Sequence, residues 1–135
     1  MKKLDRKCDK CGTNDVWFCQ NRVIYGRNFG AWPYVVFCRA CSAAVGCHRG
    51  TENPLGTMTD SRTRQLRAEA HAIFDPIWKD GWITRTDAYM RLARLMGIKS
   101  EDCHFSHMNS RELKKAMSAT FDLIEEVSRE VDINE

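Results

Sequence analysis

The sequence predicts an α+β protein, an N-terminal zinc ribbon of short antiparallel strands packed on a C-terminal three-helix domain. Three observations predict it. Two Cys-x2-Cys turns, Cys8–Cys11 and Cys38–Cys41, bracket short β-prone runs. After about residue 60, apolar residues recur every three or four positions. Capping residues and glycines punctuate that second half at helix-like intervals. The expected division is residues 1–58 for the ribbon and its connector, and residues 59–135 for the helices.

The ribbon is read element by element. Cys8-Asp9-Lys10-Cys11-Gly12 is a first knuckle, and Val16-Trp17-Phe18-Cys19 a first strand. A loop containing Gly26, Gly30 and Pro33 leads to a second strand, Tyr34-Val35-Val36-Phe37. That strand runs into the second knuckle, Cys38-Arg39-Ala40-Cys41, and Ala43 to Cys47 is a candidate third strand. No histidine pair follows at finger spacing, so the pattern is a ribbon and not a ββα finger. Residues 48–60 hold two glycines and a proline and read as an irregular connector.

The helices follow. Asp60 or Ser61 caps a first helix running to about Phe74, with Leu66, Ala70, Ile73, Phe74 and Ile77 on one face. Pro76 and Gly81 end it. Thr84 with Asp87 three residues on starts a second, which turns Tyr89, Leu92, Ala93 and Met96 inward and stops at Gly97. A third starts near Asn109 or Ser110, with Leu113, Met117, Thr120 or Phe121, Ile124, Val127 and Val131 inward. A ribbon of some fifty residues has too little apolar matter for a core of its own, so it is expected to share one with the first helix.

Composition narrows the class. Hydrophobic residues are 43% and charged residues 29%, which excludes a disordered chain. No run of about 18 apolar residues is present, so no membrane partner is expected. The opening MKKLDRKCDK has no apolar run after its lysines, so no signal peptide is expected and a cytoplasmic location follows. In that compartment, paired cysteines read as metal ligands and not as disulfides.

The strongest chemical signal is Cys8-x2-Cys11-x26-Cys38-x2-Cys41. Each turn offers two thiolates to one tetrahedral ion, and two turns close the shell. Zinc is the expected cofactor. An iron–sulfur cluster is the alternative that a four-cysteine shell also suits. A closed shell leaves no position for substrate, so the ion is structural. It should contribute most of the ribbon's stability.

Other constellations carry two readings each. Cys47-His48 could ligate a metal, or Cys47 could be buried at a strand end with His48 capping the loop. His71 and Asp75 share a helix face and could orient one another for base chemistry, or simply form a surface hydrogen bond. Cys103, His104 and His107 are three potential ligands in five residues, or a packed turn. In each case the plainer, structural reading is preferred.

Charge is uneven. Residues 1–97 hold 16 Lys+Arg against 9 Asp+Glu, and residues 98–135 hold 5 against 9. A basic body suggests an anionic partner. Arg39, Arg49, Arg62, Arg64 and Arg67, with Lys2, Lys3, Lys7 and Lys10, are the candidate phosphate-binding residues. Arg62 and Arg64 flank a helix start, where anions are favoured. Trp17, Tyr25, Phe29, Trp32 and Tyr34 could stack on bases if exposed, or cover the ribbon's small core.

The run Val45-Gly46-Cys47-His48-Arg49-Gly50-Thr51-Glu52-Asn53-Pro54-Leu55-Gly56-Thr57 is followed by Leu66-Arg67, Ala70-His71 and Phe74-Asp75-Pro76-Ile77-Trp78. With Cys38-x2-Cys41, Arg85, Ala88-Tyr89, Leu92-Ala93 and Cys103-His104, it resembles a family of small zinc-finger-containing proteins of phages and bacteria. The resemblance covers roughly residues 8–110. Thr59 departs from it, standing where a small apolar residue is expected. It implies a zinc-binding protein consistent with a phage origin, and no reaction.

Three functions follow from these features. The first is a zinc-stabilised, non-enzymatic protein that binds DNA or RNA through its basic face. The second is an interaction factor that docks on a host protein. The third is a nuclease-like enzyme using His48, His71 and Asp75.

Overall fold

The computed structural model describes residues 1–134, and of residues 132–134 only the backbone. Two compact units divide the chain, Met1–Arg64 and the residues from Gln65 onward.

The first unit is a four-stranded antiparallel sheet in the order β1-β2-β3-β4. Its strands are β1 (Lys2–Lys3), β2 (Val16–Gln20), β3 (Tyr34–Cys38) and β4 (Ala44–Gly46). Val16 pairs with Cys38 at one end of the β2–β3 hairpin, and Gln20 with Tyr34 at the other. The cysteine turns therefore sit at the first end. The long loop sits at the second and contains a four-residue helix, α1 (Arg22–Tyr25). Neither β1 nor α1 has a signal in the apolar pattern, being two residues and one turn long.

Period-2 alternation sends Val16, Val36, Cys38 and Val45 into the ribbon's core, with Ala43, Cys47 and Met58. The connector is more ordered than its composition suggests. Ala44 and Thr59 exchange both backbone hydrogen bonds, and the Leu55 N–H donates to the Gly46 carbonyl at 2.9 Å. The connector thereby covers the open edge of β4.

The second unit is helical. Its elements are α2 (Ser61–Phe74, which starts in the first unit), α3 (Pro76–Lys79), α4 (Arg85–Met96) and α5 (Ser110–Asn134), with two 3₁₀ turns before α5. The Asp60 carboxylate accepts from the Thr63 N–H at 2.8 Å, so Asp60 caps α2. Thr84 accepts from the Asp87 N–H, and Gly97 closes α4 in the left-handed region. Asn109 and Glu112 exchange side-chain bonds to each other's N–H groups, a capping box that starts α5. Pro76 ends α2 as expected, but its fixed φ also suits a first helical position, and it starts α3.

Leu66, Ala70, Phe74, Ile77, Leu92, Phe105, Leu113 and Leu123 belong to one buried cluster in this unit. None of them belongs to the ribbon's cluster, and each unit has a buried cluster of its own. Three inward candidates are corrected. Ile73 is only half-buried. Along α5 the buried stripe is Leu113, Ala116, Ala119, Thr120, Leu123 and Val127, leaving Ile124 exposed at 37% and Phe121 at 60%. Thr120 can lie inside because its hydroxyl donates to the Ala116 carbonyl at 2.8 Å. Among the described residues, no helix is long and apolar enough to cross a membrane.

Candidate metal centre

The hairpin register brings the two cysteine turns together. The sulfur atoms of Cys8, Cys11, Cys38 and Cys41 all lie within 4.8 Å of one another. Cys8 to Cys41 and Cys11 to Cys38 are each 3.6 Å apart. That is far beyond a disulfide bond of about 2.05 Å. A tetrahedron with Zn–S bonds of about 2.3 Å has edges of about 3.8 Å, which the observed separations bracket.

The turns also point donors at the sulfurs. The N–H groups of Lys10 and Cys11 lie 3.3 and 3.5 Å from Cys8 Sγ. At Cys38, burial opposes ionisation, but the Thr13 hydroxyl and the N–H groups of Cys41 and Ala40 outweigh it and lower the thiol. Thr13 Oγ1 lies 3.1 Å from Cys11 Sγ, and with the Thr13 backbone it draws that thiol down to about 6. Burial and three thiol neighbours hold Cys41 up to about 12. Four thiolates this close repel one another, and a divalent cation at their centre favours the ionised form of all of them. The donor set and its spacing therefore fit a tetrahedral metal ion, with Cys8 and Cys38 buried and Cys11 exposed.

The remaining candidates are placed differently. Cys47 is buried at the end of β4, and burial raises its thiol. His48 is exposed and forms a turn, its N–H donating to the Asn53 carbonyl and its own carbonyl accepting from Thr51. In the helical unit, His71 Nδ1 lies 3.2 Å from both Asp75 oxygens. Its ring meets Phe105 edge-on at 4.7 Å. Cys103 is buried, whereas His104 and His107 are exposed with ring centres 6.2 Å apart. Among the described residues, Cys8, Cys11, Cys38 and Cys41 are the one group placed to hold a metal.

Several of the nominated cations are engaged within the chain. Lys2 pairs with Glu52 at 2.7 Å, Lys10 with Asp60 at 3.6 Å and Arg39 with Asp15 at 3.1 Å. Arg64 donates to the Thr59 carbonyl, and Arg67 to the Met108 carbonyl at 3.4 Å. The start of α2, expected to favour an anion, already holds the Asp60 carboxylate. Arg49 and Arg62 are exposed, and no ion pair is formed by either among the described residues. Arg22 and Arg27, outside the set expected from the sequence, are also exposed, in the β2–β3 loop. Their signal was present, because residues 16–51 contain four arginines and no Asp or Glu.

A four-cysteine centre closing an antiparallel hairpin defines a metal-binding ribbon, and the chemistry of its donors supports zinc. The chain belongs to a family of zinc-finger-containing domains, whose model matches residues 4–122. No curated protein and no solved structure matches it.

Proposed function

We propose that this is a zinc-stabilised, non-enzymatic nucleic-acid-binding protein that uses the ribbon as its contact surface. One observation carries the reading. Arg22, Arg27 and Arg49 are exposed and form no ion pair among the described residues, and the span that holds them, residues 16–51, has no carboxylate side chain. The first unit as a whole carries 11 Lys+Arg against 5 Asp+Glu. Four thiolates and Zn²⁺ take two charges from that net of +6, and the ribbon stays cationic. Guanidinium groups on a rigid scaffold suit phosphates.

Anisotropy titrations of labelled oligonucleotides across a salt series test the proposal. Affinity should fall linearly on a log–log plot, by about 0.7–0.9 for each phosphate contacted. No binding of DNA or RNA at low salt would remove it.

Docking on a protein is the second reading, favoured by an apolar cleft in the helical unit. Ile73, Ile77, Trp82, Ile124 and Val127 line it, and Trp82 is 54% exposed. Retention of a stoichiometric partner by the wild type but not by Trp82→Glu would favour it over the first.

A further inference from the structure

We infer that the β2–β3 loop binds single-stranded nucleic acid, stacking unpaired bases on Tyr25 and Phe29 while Arg22 and Arg27 hold the flanking phosphates. The inference rests on the nucleic-acid reading and adds a site and a substrate class to it.

The loop exposes aromatic surface that a ribbon would otherwise bury. Tyr25 is 51% exposed and Phe29 43%, and their rings meet edge to face with centres 5.4 Å apart. The Arg27 guanidinium lies 4.5 Å from the Phe29 ring centre. The other aromatics are spoken for. Phe18 stacks on Tyr34 at 5.0 Å, Trp32 donates to the Thr51 carbonyl, and Trp17, less exposed than either loop ring, donates to the Asp15 carboxylate at 2.7 Å.

The display is built to be stiff. The buried amide of Asn21 bonds both the N–H and the carbonyl of Phe29. Asn28 bridges to Gln20 and to the Arg22 N–H. Gly26, at φ 79°, caps α1 by donating to the Arg22 carbonyl. A loop already ordered loses little entropy when a flexible strand settles on it.

Two features select unpaired bases. Aromatic faces recognise base faces, and in a duplex those faces are hidden in the stack. α1 has only four residues, too short to lie along a major groove as a reading helix. Beside Arg22, an open cleft of about 490 Å³ lined by Phe18, Val23 and Tyr34 gives an unstacked base room to enter. No carboxylate side chain lies in residues 16–51, and the acids at its two ends, Asp15 and Glu52, are paired with Arg39 and Lys2.

The test uses the zinc-loaded full chain and a fluorescein-labelled 12-nucleotide strand, free and annealed to its complement, at low salt. The free strand should bind at least tenfold more tightly than the duplex. Tyr25→Ala and Phe29→Ala should each weaken it about ten- to a hundredfold. Tyr25→Phe and Phe29→Tyr should restore it, which separates stacking from loss of folding. Phe121→Ala, an exposed aromatic on α5, should change nothing. Equal affinity for duplex, or alanine variants that bind like the wild type, would overturn the inference and leave the nucleic-acid reading standing. Binding of neither form would overturn both.

Discussion

Asn21 grips Phe29 by both ends of one peptide residue. Its Nδ2 donates to the Phe29 carbonyl at 2.9 Å, and its Oδ1 accepts from the Phe29 N–H at 3.0 Å. Asn21 is itself 8% exposed, so neither bond is shared freely with water. Asn21→Ala should cost about 1–3 kcal/mol by leaving these backbone groups without their partner. Limited proteolysis should then cut between residues 21 and 33, and the wild type should resist it there. Unchanged cleavage would mean that the loop is held by other contacts.

Removal of the metal should separate the two units. Each has its own buried cluster, and the four cysteines lie only in the first. A chelator should therefore abolish the tertiary signals of Trp17 and Trp32 while the helical signal of α2, α4 and α5 persists. Near-ultraviolet and far-ultraviolet circular dichroism report the two together. A chelated protein that loses both signals in one step would contradict the separation.

The α5 stripe makes a paired prediction. Leu123 is fully buried and Phe121 is 60% exposed. Leu123→Ala should destabilise the helical unit by about 2–5 kcal/mol. Phe121→Ser should change it by about 0.5 kcal/mol or less. Urea melts followed by helical ellipticity compare them. Similar losses for both would reverse the assignment of the faces.

Stability should fall in mild alkali. Burial pushes the Cys103 thiol up to about 11. An unfolded thiol ionises from about pH 8.5, while the folded one keeps its proton. The folded state thus binds more protons, so its stability is constant below the ordinary thiol value and declines as pH rises from there towards 11. Cys103→Ala should flatten that decline in thermal melts of the helical unit. A slope unaffected by the substitution would assign it to other groups.

Much of the helical half was legible because its signals are local. Asp60, Thr84, Asn109 and Gly97 set boundaries through bonds to residues no more than four away. The α5 face was harder. Leu113, Met117, Ile124 and Val131 fit one stripe and Leu113, Ala116, Leu123 and Val127 another, and periodicity alone does not rank them. The metal group was legible because Cys-x2-Cys spacing states its own chemistry. The hydrogen bond from the Leu55 N–H to the Gly46 carbonyl joins positions nine residues apart and has no signal in local spacing. Arg22 and Arg27 were passed over because exposure of a loop is set by packing elsewhere. What singles them out is the missing acid around them.

The central claim is that one zinc ion, held by Cys8, Cys11, Cys38 and Cys41, organises the ribbon. Native mass spectrometry of wild type and Cys38→Ser, purified side by side without added metal, tests it most directly. The wild type should carry the mass of one zinc ion with four thiol protons lost, and Cys38→Ser should carry none or a weakly held fraction. A metal-free wild type with a folded ribbon, or a variant that keeps its zinc in full, would contradict the account.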